Sequence, residues 1–158
     1  MSVSELDSGS LVNAVRRAEA DAVERILSAA PHLLSATVAA DASEGDAEGT
    51  TLLHWAMPGD GRELHEQHLE TARVLLGHGA DPNAVGNGPN HGRCAPLSLA
   101  AWGNHVPLIE LLLEYGADPE GRGGSSHADA PIVTAAEHGH AAAVAALVEA
   151  GASHTLYE

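Results

Sequence analysis

The 158-residue chain has no lysine and no phenylalanine, a single cysteine, and only seven basic residues, all arginine, against 22 acidic ones. Each shortage narrows the range of functions. A net charge of −15 argues against unassisted binding to nucleic acid or to an anionic membrane, because both need a cationic surface. It favours partners with a basic surface, although much of the acid also serves general solubility. The lone Cys94 cannot form an internal disulfide, in keeping with a reducing compartment. No window reaches 18 uninterrupted strongly apolar residues, and the opening MSVSELDSGS has neither a basic start nor an apolar core. Neither a membrane span nor a secretory signal is therefore expected, and the cytoplasm is the default location. The absence of lysine beside abundant alanine and glycine hints at a GC-rich bacterial genome and carries no mechanistic weight. The length suits one domain, which on folding buries roughly 68–70% of the surface its unfolded chain exposes.

What the chain does contain is repetition. Ala95 to Glu120, APLSLAAWGNHVPLIELLLEYGADPE, reads as two short helices joined by a glycine turn. Leu97, Ala100 and Ala101 are apolar on the first, and Leu108, Ile109, Leu111, Leu112 and Leu113 on the second. A unit this small cannot bury both helices alone, and similar wording recurs on either side, so copies must stack. Four copies are expected, at about 8–34, 49–83, 93–120 and 128–154. Residues 11–30 form a degenerate first copy whose Arg16, Arg17, Glu19, Asp21, Glu24 and Arg25 face water, as a terminal repeat requires. The segment 35–48, acidic and without periodicity, reads as a long, mobile loop, a solvated linker or else an acidic arm for a basic partner. In the second copy the path between helices is seven residues longer than in the third, close to two helical turns. Asp60 with Glu63 resembles a capping box there, so the insertion at 58–64 is expected to form a tight turn plus an N-terminal extension of the second helix. Residues 84–94 and 121–129 are turn-rich loops. The last helix, HAAAVAALVEA, presents an alanine-rich face suited to weak pairing with a second copy.

These copies resemble ankyrin repeats, whose pattern runs G-x-T-P-L-H-x-A-A-x-x-G-H, then an apolar helix ending L-L, then G-A-D-x-N. Thr51, Leu53, His54, Ala56, Gly79, Ala80, Asp81 and Asn83 carry the match in the second copy. In the third it rests on Pro96, Leu97, Ala100, Ala101, His105, Leu112, Leu113, Gly116, Ala117 and Asp118. Pro131, Ala135, Ala136, Gly139, His140, Leu147, Gly151 and Ala152 carry it in the fourth. The resemblance implies an all-α solenoid of four helix-turn-helix repeats with long inter-repeat loops, working as a non-catalytic module that binds a partner protein through its concave groove and loop tips. The residues agree on physical grounds. Pro96 and Pro131 suit the first helical position, where no hydrogen bond is lost, and Gly79, Gly116 and Gly151 suit a left-handed helix stop. Ala95 and Ala130 depart from the pattern, standing where the family has a capping threonine, a loss of about 1 kcal/mol each.

Several residues invite a chemical reading. His54, His105 and His140 occupy positions where the family itself has histidine, and His68 falls in register with the latter two. His65 and His68, three apart on a helix, have the spacing of two metal ligands, but no third ligand is evident. His91, Cys94 and His127 lie on loops at one edge of the stack and form a weak metal candidate. No nucleophile-base-acid set, phosphate loop or dinucleotide fingerprint is present, and no cofactor is expected. Trp55 is expected half-buried between neighbouring helices. Trp102 ends a first helix, a position that in the family looks outward on the concave face, with Arg16, Arg17, Glu137 and His138 in register beside it. Tryptophan flanked by arginine and histidine is the composition of an interface hot spot. The expected partner contacts are thus Arg16, Arg17, Trp102, Glu137 and His138 on the helix side of the groove, and His91, Arg93 and His127 on the projecting side. The competing reading is a small-molecule or metal-dependent enzyme with a pocket built by the long loops and the 58–64 insertion.

Overall fold

The computed structural model describes residues 8–35, 51–58, 63–87, 93–121 and 130–152. Four helix pairs follow one another: α1 (Ser8–Arg16) with α2 (Ala20–Ala29), α3 (Leu52–Ala56) with α4 (Glu66–Gly77), α5 (Pro96–Trp102) with α6 (Val106–Glu114), and α7 (Pro131–Glu137) with α8 (Ala141–Glu149). A short 3-10 helix, Pro31–Ser35, follows α2. First helices pack on first helices and second on second, α1 on α3 on α5 on α7 and α2 on α4 on α6 on α8. This is the expected all-α stack of two layers. Between the second and third pairs, β1 (Gly86–Asn87) and β2 (Arg93–Cys94) form an antiparallel two-stranded hairpin in which Gly86 faces Cys94 and Asn87 faces Arg93.

Equivalent positions repeat down the stack. Leu11, Leu53, Leu97 and Ile132 are buried on the four first helices, each followed three residues later by a buried alanine, Ala14, Ala56, Ala100 or Ala135. The leucines supply apolar area, about 1.5–3 kcal/mol per fully buried side chain, while the alanines let neighbouring helices approach closely. Ile26, Leu75, Leu112 and Leu147 form the matching row on the second helices. Pro96 and Pro131 open α5 and α7 as expected, after Ala95 and Ala130, neither of which makes a side-chain cap. At the α3 start Thr51 keeps the cap, its hydroxyl accepting from the His54 backbone N–H at 3.4 Å. Gly79, Gly116 and Gly151 all have positive φ, 100°, 92° and 91°, a conformation glycine adopts without a Cβ clash. The turn between paired helices also needs one left-handed residue, and here the chain uses Ala18 and Asn104, both at φ 55°, and Gly139 at 72°.

The second repeat departs from its expected form. Residues 63–65 are not helical, and α4 begins at Glu66 after the N-terminal boundary residue His65. Glu63 therefore does not help to start the helix, and Asp60 lies outside the described residues. With 12 residues against nine in α6 and α8, the extension is three residues, short of one full turn. Its cause is local. The His65 backbone N–H donates to His68 Nδ1 at 3.4 Å, so His65 and His68 form a capping box of two histidines where α4 begins. His68, in register with the residues that open α6 and α8, thereby sits inside its helix instead of before it.

Candidate interaction surface

The helix-end row comes directly from the register. Arg16, Trp102 and Glu137 are the last residues of α1, α5 and α7, and each precedes a tight turn, so their side chains recur at one level of the stack. Two contacts organise the row. The Arg16 guanidinium lies 4.7 Å from the centre of the Trp55 ring, a cation–π arrangement between the first and second pairs. Trp102 reaches the fourth pair, its indole Nε1–H donating to His138 Nε2 at 3.1 Å, with the two rings edge-on at a centroid distance of 6.0 Å and an interplanar angle of 75°. Trp102 is half-buried, whereas Arg16, Arg17, Glu137 and His138 are exposed.

The hydrogen bonds fix the state of His138. Its Nδ1 lies 2.8 Å from the Thr134 carbonyl oxygen, which only accepts, so Nδ1 carries the proton and Nε2 offers its lone pair to the indole. His140 stacks on the same ring at 5.9 Å and 20°, and its Nε2–H donates 2.9 Å to the Trp102 carbonyl. Trp102 is thus held at both ends by the fourth pair, through its indole and through its backbone.

Two other histidines are structural. His54 is fully enclosed; its Nε2–H donates to the Cys94 carbonyl at 2.9 Å and its Nδ1 accepts from the Thr51 hydroxyl at 2.7 Å. Burial lowers its pKa below the usual histidine value, an effect the Cys94 carbonyl partly offsets. His105 is half-buried, and its pKa is also lowered, first by burial and then by the neighbouring imidazoles of His68 and His140. Its ring lies over Gly103, where a Cβ would stand 2.3 Å from Nε2. Asn83 ties the hairpin side of adjacent repeats together, its Nδ2 donating to the Gly116 carbonyl at 3.0 Å and its Oδ1 accepting from the Asp118 N–H at 2.7 Å.

Of the residues singled out by sequence, the structure joins Trp102 to His138. Among the described residues, Arg17, Arg93 and Glu137 are exposed and make no hydrogen bond or ion pair with that pair. His91 and His127 lie outside the described residues. Cys94 is buried, with its carbonyl engaged by His54, and among the described residues no three His, Cys, Asp or Glu side chains gather closely enough to hold an ion. His65 and His68, instead of flanking an open ion site, stack at 5.7 Å and 25° while His68 Nδ1 serves the start of α4.

Two features were missed in the sequence. Trp55, assigned only to packing, carries Arg16; the register of Arg16 with Trp102 was visible, but the ring it covers belongs to a different register position. Where α2 and α4 begin, an open groove of about 510 Å³ is lined by Glu19, Asp21, Glu66 and Glu70, with Arg25 as its one cationic side chain. Its signal was the acidic start of each helix. None of its lining residues belongs to β1 or β2. No helix among the described residues is long and apolar enough to cross a membrane.

The family model for ankyrin repeats (3 copies) matches residues 64–157. Among curated proteins, the chain is similar to palmitoyltransferase ZDHHC13 of Mus musculus, 34% identical over 89 residues, covering 54% of this chain and 13% of that protein. It is also similar to ankyrin repeat and SOCS box protein 16 of Mus musculus, 38% identical over 89 residues, covering 56% and 19%. Palmitoyltransferase ZDHHC17 of Rattus norvegicus is 31% identical over 79 residues, covering 50% and 11%. The chain spans less than a fifth of the length of each of these relatives.

Proposed function

Because the chain belongs to the ankyrin-repeat family, whose repeats generally mediate protein–protein interaction, we propose that it binds a partner protein through its concave helix-end row and its loop tips, without catalysis. The observation that carries this reading is the Trp102–His138 pair. A half-buried indole, oriented by a 3.1 Å hydrogen bond and bordered by exposed polar and charged side chains, has the character of a pre-organised hot spot: large contact area and little side-chain entropy left to lose. Arg16 on Trp55, Arg17, and Glu137 extend the row in both directions, and Arg93, His91 and His127 supply the projecting side.

Charge supports a partner with a basic surface. The chain carries −15 net, and the groove between the starts of α2 and α4 offers four carboxylates to one guanidinium. Charge of this sign steers a basic partner toward the stack and sharpens the salt dependence of association. The buried reduced thiol of Cys94 suits the cytoplasm. Weak pairing through the last repeat is a second mode of association, supported by Val148 on α8, 54% exposed; an entirely monomeric mass at high concentration removes it. The test of the main reading is a binding titration of a captured partner against Trp102→Ala and His138→Ala. Weakened affinity in both supports the row, and unchanged affinity in both rejects it.

A further inference from the structure

We propose that His138 is a proton-operated latch on Trp102: the neutral imidazole holds the indole in place, and protonation releases it. The inference deepens the proposed function, since it takes Trp102 as a partner contact, but it concerns the free protein and is tested there. It starts from the donor and acceptor inventory of one ring. His138 Nδ1 lies 2.8 Å from the Thr134 carbonyl and must donate to it. Nε2 lies 3.1 Å from Trp102 Nε1, and an indole nitrogen only donates. The ring therefore has one available tautomer, Nδ1–H, and one charge state, neutral. A proton added at Nε2 sets two N–H groups against each other and turns the bond into a repulsive contact.

The surroundings leave the indole as the group that must move. His138 follows the last residue of α7, and its Nδ1–H serves a carbonyl near that helix C-terminus, where added positive charge is favourable, so the Thr134 bond strengthens as the Trp102 bond fails. From the turn before α8, His140 stacks on His138 at 5.9 Å and is itself anchored to the Trp102 carbonyl. Beyond it, His105 before α6 interacts electrostatically with both His140 and His68. From its own helix the adjacent charged residue is Glu137. No carboxylate among the described residues forms an ion pair with His138, so nothing there offsets the charge in place of the lost bond. His140 keeps its hold on the Trp102 carbonyl, which centres the change on the contact between the indole and His138. A partner that needs the indole in this orientation binds when His138 is neutral; the acid form presents the indole without that bond and an added positive charge on an otherwise acidic molecule.

The experiment is an NMR pH titration of the full chain, labelled with ¹⁵N, from about pH 8 to 5, the range in which imidazoles change charge. The Trp102 indole signal is assigned by its loss in Trp102→Phe. Three results are expected: His138 in the Nδ1–H tautomer at high pH, a Trp102 indole shift that moves in step with His138 protonation, and loss of that movement in His138→Gln, whose amide oxygen accepts at every pH. An Nε2–H tautomer overturns the latch. So does an indole signal that stays still while His138 titrates, or one that titrates unchanged in His138→Gln. The first two readings use the unmodified protein, so a variant that fails to fold leaves the proposal open to refutation. If the latch operates yet Trp102→Ala leaves partner affinity intact, the latch stands and the placement of the partner falls.

Discussion

Mild acid should destabilise this protein before its carboxylates titrate, because of two histidines that the fold keeps neutral. His54 and His105 both have pKa values lowered from 6.5 in the folded chain. For His54 the leading cause is enclosure at 0% exposure; for His105 it is partial burial, reinforced by the imidazoles of His68 and His140. Well above the ordinary value of 6.5 both residues are neutral in both states and stability does not depend on them. Below it the unfolded chain takes up protons that the folded chain refuses, so stability falls with falling pH until each folded-state pKa is reached. The slope is at most about 1.4 kcal/mol per pH unit for each histidine, and smaller for the partly buried His105, whose charge solvent screens. Against a typical total of about 5–15 kcal/mol for a domain, one pH unit is a large fraction. Urea unfolding followed by circular dichroism at intervals between about pH 7.5 and 5.2 measures it, above the range where carboxylates dominate. The midpoint should be flat at the upper end and drop below pH 6.5, and His105→Asn should reduce the initial slope. A midpoint that does not move across this range, or a slope that His105→Asn leaves whole, refutes the assignment of these two imidazoles as neutral structural groups.

Two further outcomes follow from the backbone. Ala18→Gly should raise stability by about 0.5–1 kcal/mol, because Ala18 holds the left-handed φ of 55° where its equivalent in the fourth repeat is Gly139, and the strain relieved outweighs the added freedom of the unfolded chain; a thermal melt that falls or stays level contradicts this. Asn83→Ala should cost about 1–3 kcal/mol, since it leaves the Gly116 carbonyl and the Asp118 N–H without the side chain that joins them across repeats, and hydrogen exchange should quicken at Asp118 first.

The fold was legible because its rules are local and repeated. Pro96, Pro131, Gly79, Gly116 and Gly151 each announce a boundary for a stated stereochemical reason, and the buried rows at Leu11 and Ile26 recur with the repeat. Where a single irregular event replaced a rule, the reading failed: α4 starts on a hydrogen bond between His65 and His68, a cap no composition rule proposes, and so its extension is shorter than the insertion that permits it. The site was half legible. Register placed Trp102 and His138 on neighbouring repeats, but that one donates to the other depends on the tautomer that Thr134 imposes, which spacing does not carry. Arg16 was expected to look toward a partner, and its contact with Trp55 depends on how the first two pairs lean together. His91 and His127 lie outside the described residues, so on the projecting side the structure describes Arg93 alone.

The central claim is that the helix-end row holds the partner, and a titration of a captured partner protein against the purified full chain tests it most directly. Trp102→Ala should weaken binding by at least about ten-fold, while Glu110→Ala, exposed on the second-helix layer at α6, should leave it within about two-fold. Equal affinity for wild type and Trp102→Ala, or a loss confined to Glu110→Ala, would contradict the account and move the interface to the other face of the stack.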